Sequence, residues 1–174
     1  HTVNAVSPLK LTRTRTARSL HMLEVAMKKY ADKPAFRSFG QTLTYADVDR
    51  QSRNFAAYLQ RKLGVKKGDR IAVMMPNLLA FPIAFLGIIR AGAAQVNVNP
   101  LYTPRELEHQ LKDAGVKVMV VFAGSSATVA EVITSTPLET VITVGPGDGS
   151  AATLPSPPVD PRLQRRPRIC RRSC

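Results

Sequence analysis

The chain has 174 residues, 44% of them hydrophobic, and carries a formal charge of +13 at pH 7. This length and hydrophobic share are sufficient for one globular core. The charge alone would favour a polyanionic partner, but it is concentrated at the two ends of the chain. Residues 1–18 hold four basic residues and no acid, and residues 150–174 hold six arginines against Asp160. The body between them has a net charge of only +4, which argues against nucleic-acid binding.

Two classes of protein are disfavoured by the apolar segments and the cysteines. The longest apolar region, residues 78–89, is shorter than the roughly 20 residues of a membrane span and contains Pro82. We find no pattern of a secretory signal in the first residues. The only cysteines, Cys170 and Cys174, lie in the basic tail, so no disulfide framework is expected and a reducing compartment is favoured.

The periodic part of the chain begins at Ser19. Residues 21–31 are typical of a helix, and we expect one face of it to be apolar: Met22, Val25, Ala26 and Tyr30. Residues 34–45 predict a β-hairpin whose turn contains Gly40-Gln41.

A second helix is predicted to begin after Thr44. Thr44 is the expected N-cap, and Asp47 completes a capping box three residues later. Spacings of three and four residues define its inner face, which comprises Val48, Ser52, Phe55, Leu59 and Leu63. Gly64 is expected to end this helix in a left-handed conformation.

Strands and helices then alternate. We predict a buried strand at 70–75, a helix ending at Ala91 with Pro82 in its first turn, and a strand at 93–99. Met74 and Met75 are expected in the core.

The strongest helix-start pattern is YTPRELEHQLKDAG, with Thr103 as N-cap, Pro104 at N1 and Glu106 at N3. Gly115 is expected to end this helix, and its inner stripe is Leu107, Leu111 and Ala114. A buried strand at 116–123, a helix near 126–135 and a strand at 140–144 follow. Such alternation predicts a layered α/β fold with a mostly parallel sheet and flanking helices.

Few residues in the sequence are candidates for catalysis or for binding of a ligand or metal. GSSAT at 124–128 lies where α/β folds bind phosphates, but an ordinary helix cap is favoured because no nucleotide-loop spacing is present. GPGDG at 145–149 favours a turn. His21 and His109 have no partners at metal-ligand spacing, and the pair Glu106 and Glu108 is expected on different helix faces. We therefore assign no catalytic, cofactor-binding or metal-binding residue.

Four stretches taken together resemble a known family. ADKPAF…QTLTYADV, GVKKGDRIAVMMPN, AFLGIIRAGAAQVNVNPLYTPRELEHQLKDAG and VKVMVVF occur in the order of the N-terminal part of AMP-forming acyl-CoA synthetases. LTYADV resembles the first core motif of that family, and IIRAGAAQVNVNPLYTPREL resembles the second. The chain is most similar to the bacterial long-chain fatty-acid–CoA ligases, from about Ser19 to about Gly149.

The resemblance implies a reaction in two steps: ATP and a fatty acid give an acyl-adenylate, and coenzyme A then displaces AMP. It also implies ATP with Mg²⁺ in the full-length enzyme, a homodimer, and a cytoplasmic location with weak contact at the inner face of the membrane. The family's phosphate loop ending Pro-Lys-Gly and its catalytic Lys have no counterpart in this sequence. We therefore expect a fragment that is inactive alone.

These observations divide the chain into three parts. Residues 1–18 are expected to be irregular, residues 19–149 form the N-terminal part of the ligase domain, and residues 150–174 form a basic Pro/Arg-rich tail. We interpret this tail as the product of a frameshift near residues 149–151, with a genuine disordered anion-binding tail as the alternative. For the whole chain, the alternative function is a small basic α/β protein that binds a nucleotide or nucleic acid.

Overall fold

A computed structural model describes residues 13–147 of the chain. The basic tail, both cysteines and most of the irregular N-terminal segment lie outside these residues. The helices and strands follow in this order: α1 Arg13–Lys29, β1 Pro34–Ser38, β2 Gln41–Thr44, α2 Tyr45–Arg61, β3 Arg70–Met74, α3 Ala80–Arg90, β4 Ala94–Asn97, α4 Pro104–Ala114, β5 Val118–Phe122, α5 Ser126–Val132 and β6 Thr140–Val144. Short 3-10 turns, Ala123–Ser125 and Ile133–Ser135, flank α5.

The main sheet has four parallel strands in the order β4-β3-β5-β6. Strand β3 is central, so Ile71 pairs with Gln95 on one side and with Val118 on the other. The predicted α/β fold with a parallel sheet is therefore confirmed.

Helices cover the sheet on both faces. On one face, α2 and α3 pack against β3, β5 and β6 through residues such as Leu59, Ile88 and Val120. On the other face, α4 and α5 pack through Leu107 and Val129. Strand β4 lies on one side of β3, and β5 and β6 lie on the other. Right-handed crossovers therefore place α3 on one face of the sheet and α4 and α5 on the opposite face.

The inner face of α1 differs from the prediction. Met22 is 66% exposed and Val25 is 51% exposed, whereas Met27 is buried and Leu23 packs beside it against β2, α2 and α3. The predicted apolar face of this helix is therefore wrong. Two overlapping apolar stripes run along α1, and its neighbours in the fold select the one that contains Leu23 and Met27. The helix also begins at Arg13, within the segment expected to be irregular.

The predicted hairpin is present, with its turn one residue earlier than expected. Ser38 pairs with Gln41, so Phe39 and Gly40 form the two-residue turn. Both have positive φ angles, 48° and 74°, as in the turns that match the twist of a hairpin. Phe39 is 82% exposed, so a bulky aromatic occupies a backbone region that favours Gly or Asn.

The predicted helix ends are confirmed at α2 and α4. Thr44 and Thr103 are the N-caps, each in a complete capping box with the acid three residues later. Pro104 follows directly after its cap, and Pro82 lies in the first turn of α3. Gly64 adopts the predicted left-handed conformation, and Gly115, which was predicted to end α4, is left-handed as well.

Candidate functional site

The carboxyl edge of the parallel sheet contains the candidate site. In open α/β sheets, ligands bind outside the carboxyl ends of strands at the point where the chain reverses its direction of winding. Here that point lies between β3 and β5, because the chain leaves β3 toward α3 on one face and leaves β5 toward α5 on the other. By this rule, a crevice for a ligand is expected between the loops 75–79 and 123–125.

The loop after β3 is tightly folded. The Leu78 N–H donates to the Pro76 carbonyl at 2.8 Å, and the Phe81 N–H donates to the Leu78 carbonyl at 3.0 Å. Met74 and Met75 are buried, as predicted. Asn77 is exposed, and it is the one polar side chain in the loop 75–79.

The loop after β5 contains the GSSAT segment. The Ser126 hydroxyl donates to the Ala123 carbonyl at 2.7 Å, and Ser125, the residue at the N-cap position, makes no capping bond with its side chain. The predicted helix cap at GSSAT is therefore wrong. The 3-10 turn Ala123–Ser125 precedes α5, and the Ser126 hydroxyl bonds to this turn instead of capping the helix. A Cβ on Gly124 would lie 2.5 Å from the ring of Phe122, so this ring closes over the loop.

Amides hold the neighbouring loop after β4 in place. The Asn99 side-chain oxygen accepts from the Leu101 N–H at 3.0 Å. The Gln110 amide of α4 donates to the Asn97 carbonyl at 3.0 Å, which ties α4 to the end of β4. These contacts fix the start of α4 at Thr103 beside the same edge of the sheet.

The histidines and acids considered from sequence do not converge on this edge. His21 and His109 are exposed on different helices. Glu106 accepts from Thr103, whereas Glu108 forms an ion pair with Lys112. Hydrogen bonds from the Thr103 backbone N–H and hydroxyl lower the pKa of Glu106, and the Lys112 ammonium, followed by the Ser135 hydroxyl, lowers the pKa of Glu108. Each acid is thus held ionised by a separate local partner.

A partly buried ion-pair cluster lies at the end of α3 that is remote from the carboxyl edge. Arg90 ends α3, and its side chain is only 6% exposed. Its guanidinium contacts Asp49 at 2.6 Å and Glu24 at 3.2 Å, and Arg53 reaches the other oxygen of Asp49 at 3.0 Å. The cluster therefore joins α1, α2 and α3.

Opposing effects act on the carboxyl of Asp49. Burial by itself would raise its pKa, but the hydrogen bonds from Arg53 and Arg90 outweigh burial and lower the pKa below its ordinary value. Asp49 is therefore ionised at neutral pH. Because Arg90 is at the end of α3 remote from the carboxyl edge, we assign this cluster a structural role.

The residues at the carboxyl edge do not fit ATP with Mg²⁺. The loops 75–79, 98–103, 123–125 and 145–147 contain no Lys or Arg to pair with phosphates. Within residues 13–147, no three His, Cys, Asp or Glu residues are grouped so that they could hold a metal ion. Within the described residues, the loops at this edge therefore lack the charged side chains that form the strongest hydrogen bonds to phosphates.

Comparison with known proteins gives the family. The model of the AMP-binding enzyme family matches residues 23–166. The long-chain-fatty-acid–CoA ligase of Escherichia coli O6:H1 is 48% identical over 141 residues, which are 81% of this chain and 25% of that protein. The crystal structure of a long-chain-fatty-acid–CoA ligase from Archaeoglobus fulgidus has a TM-score of 0.66 at 27% identity and covers 72% of this chain and 27% of its own. A benzoate–CoA ligase from Burkholderia xenovorans gives a TM-score of 0.68 at 27% identity, over 73% and 26% of the two chains.

The chain therefore belongs to the AMP-binding enzyme family. It spans about a quarter of the length of the curated relatives that it matches. The family match continues past Gly149 to residue 166, so it includes part of the segment interpreted as out of frame. The frameshift remains a prediction.

The crevice between β3 and β5 was not predicted from the sequence. Its position depends on the order of strands in the sheet, and consecutive elements along the chain do not reveal this order. The ion-pair cluster was also missed. The pattern that could have indicated it is Arg90, the one charged residue among the apolar residues 78–91.

Proposed function

We propose that this chain is the N-terminal part of a long-chain fatty-acid–CoA ligase. Such an enzyme converts ATP, a fatty acid and coenzyme A to acyl-CoA, AMP and diphosphate through an acyl-adenylate. The 48% identity to the Escherichia coli ligase carries the proposal. The fold alone does not select the acid, since a fatty-acid ligase and a benzoate ligase resemble this structure equally well.

We further propose that residues 1–174 do not catalyse this reaction alone. The carboxyl-edge loops of the described residues offer backbone groups and small polar side chains such as Asn77 and Ser125. They contribute walls that a larger protein completes with the groups that bind phosphate. In that protein, this chain supplies the core of the sheet and holds the loops in position.

The expected partners belong to the same proposal. Fatty acid and coenzyme A are the substrates of the complete enzyme, and ATP with Mg²⁺ is its cosubstrate. A homodimer, a cytoplasmic location and weak contact with the inner face of the membrane rest on the resemblance to the family. Within residues 13–147, no helix is long and apolar enough to cross a membrane.

ATP–pyrophosphate exchange with palmitate tests the proposal. We expect no exchange from the purified 174-residue chain, and we expect exchange from a chimera in which residues 19–149 replace the matching part of the Escherichia coli ligase. The intact ligase is the positive control.

Three results would count against the proposal. Exchange by the purified chain itself, surviving repeated purification, would show that it does not need further residues. A chimera that folds and binds ATP but activates no fatty acid would contradict the assignment of a fatty acid as the substrate. Tight ATP binding by the 174-residue chain would favour the alternative of a small nucleotide-binding protein.

A further inference from the structure

A cavity of about 290 Å³ opens at the amino edge of the sheet, where β3 and β5 begin. Its floor consists of Val65, Ile71 and Val118, which are all at least nine-tenths buried. The loop that precedes β3 forms one wall, and the turn between α4 and β5 forms the other. Ligand pockets start at about 300 Å³, so this cavity suits a small molecule.

The cavity is formed by residues far from both ends of the described chain. Its lining residues lie between positions 65 and 118, inside the range that matches the AMP-binding enzyme family. Strand β6 runs parallel to β5, so the described residues end at the carboxyl edge of the sheet, opposite the cavity. The candidate crevice between β3 and β5 is also at the carboxyl edge. The cavity is therefore separate from that crevice.

Arg70, the first residue of β3, supplies a cation to the lining of the cavity. Its Nη1 donates to the Ala114 carbonyl at the end of α4, at 2.9 Å. Within residues 13–147 this is the only hydrogen bond of the guanidinium, so its other N–H groups can bind a ligand. A guanidinium pairs best with a carboxylate, because two parallel N–H groups match the two carboxylate oxygens.

The other charged residues of the lining are already engaged. Lys117 is paired with Glu139 at 2.8 Å, and the Asp69 carboxylate accepts from the Lys66 N–H at 2.7 Å. The lining therefore has one cation without an acidic partner among the described residues, beside a carboxylate that repels additional negative charge on a ligand. A monoanion fits this arrangement better than a phosphate dianion, whose three oxygens bind best to several donors.

We propose that this cavity binds a small monocarboxylate with a short apolar chain. The carboxylate accepts hydrogen bonds from Arg70, and the chain lies on the apolar floor, where it is removed from water. The volume is too small for a long acyl chain, so the ligand differs from the fatty acid proposed as the substrate. The site goes beyond the proposed ligase function and does not depend on it.

Butyrate is the probe that tests the proposal, and the amide chemical shifts of the full, nitrogen-15-labelled chain report where it binds. We expect saturable shifts at Gly68 and Gly115, which line the two walls of the cavity. Butylammonium has the same apolar chain with the opposite charge, and inorganic phosphate has no apolar chain. Neither should give saturable shifts at these two glycines.

Three variants separate the charge from the cavity. Arg70→Gln should weaken butyrate binding by about tenfold, because it removes the charged donor. Arg105→Gln removes the same charge at the other end of α4 and should leave the affinity unchanged. Ala114→Leu fills the cavity while the charge of Arg70 remains, and should abolish saturable binding.

Circular dichroism melts check the folding of every variant. If Arg70→Gln does not fold, Arg70→Lys decides, because lysine keeps the charge but lacks the paired N–H groups and should also weaken binding. A wild-type chain without saturable shifts at Gly68 and Gly115 overturns the proposal, as does equal binding of butylammonium or tighter binding of phosphate. Shifts spread along the whole chain would show non-specific attraction to its basic ends, which also overturns it. Unchanged affinity in a folded Arg70 or Ala114 variant has the same meaning.

Discussion

At the scale of single residues, a few residues determine where α4 begins and ends. Thr103 accepts from the Glu106 N–H at 3.4 Å, and Glu106 accepts from the Thr103 N–H at 2.9 Å and from its hydroxyl at 2.7 Å. The start of α4, its proline and its terminal Gly115 were all predicted correctly. Capping is predictable because the participating groups are neighbours in the sequence and need no tertiary partner.

Thr103→Ala should lower the free energy of unfolding by about 1 kcal/mol, because it removes the capping hydroxyl. Glu106→Ala should cost less, since its hydrogen bond and its interaction with the helix end are exposed to solvent and screened. Glu106→Gln is the matched control, because glutamine can also complete a capping box. Denaturant melts measure all three. An unchanged midpoint for Thr103→Ala would refute the capping role and favour contact of Thr103 with substrate in the complete enzyme.

The ion pair between Arg90 and Asp49 should make the free energy of unfolding depend on pH. The pKa of Asp49 is lowered in the folded protein, so its contribution is present above the ordinary pKa of Asp and is lost as pH falls through the lowered value. Arg90→Met should destabilise the protein at pH 7 by on the order of 2 kcal/mol, because it removes one of the two guanidinium groups that bind the partly buried carboxylate of Asp49.

The measurement is the free energy of unfolding in urea at pH 7 and at pH 3. We expect the loss on acidification to be smaller in Arg90→Met than in the wild type. Lys112→Met is the control, because it removes an exposed ion pair and should change little at either pH. Equal acid sensitivity in Arg90→Met and the wild type would show that Asp49 is not held by Arg90.

At the scale of helices and strands, local pattern was sufficient for some elements and insufficient for others. Residues of α2 such as Val48 and Leu59 form one unambiguous stripe, and both are buried as predicted. Helix α1 offers two apolar stripes, and only the packing of α2 and α3 determines that Met27 faces inward while Met22 faces out. The sequence cannot distinguish these stripes because the contacts that select one of them are distant along the chain.

Gly87 controls how closely α3 approaches α2. A Cβ at this position would lie 2.6 Å from the ring of Phe55 and 3.1 Å from the Ser52 carbonyl. Gly87→Ala should therefore destabilise the protein by about 1–3 kcal/mol through overpacking, although alanine is the better helix former. Gly147→Ala, which has open space around it, is the control. Equal melting temperatures of the two variants would mean that α2 and α3 can move apart without a loss of stability.

At the scale of the whole molecule, the alternation of elements predicted the fold class but not the order of the strands. The parallel sheet and its two helical layers follow from alternation and right-handed crossovers. The position of the crevice requires knowing that β5 adds to β3 and not to β4. That choice depends on the total packing of both faces, and no short segment of sequence contains it.

Removal of residues 150–174 should leave the melting temperature nearly unchanged. Each of the three core clusters contains side chains from several helices and strands of residues 13–147, and the tail has no apolar periodicity with which to pack against them. Scanning calorimetry of the full and shortened chains, at equal concentration and salt, makes the comparison. A drop of several degrees would show that the tail packs on the body, and it would remove the main support for the frameshift.

The central position of β3 has a consequence for biosynthesis. Ile71 must pair with Gln95 and Val118, both of which are made later. A growing polypeptide therefore leaves the ribosome with its central strand complete but with neither neighbour yet synthesised. Contacts between residues so far apart in sequence form slowly and leave apolar surface exposed meanwhile. We expect a nascent chain arrested before residue 118 to be a chaperone substrate, and its release to depend on the synthesis of β5.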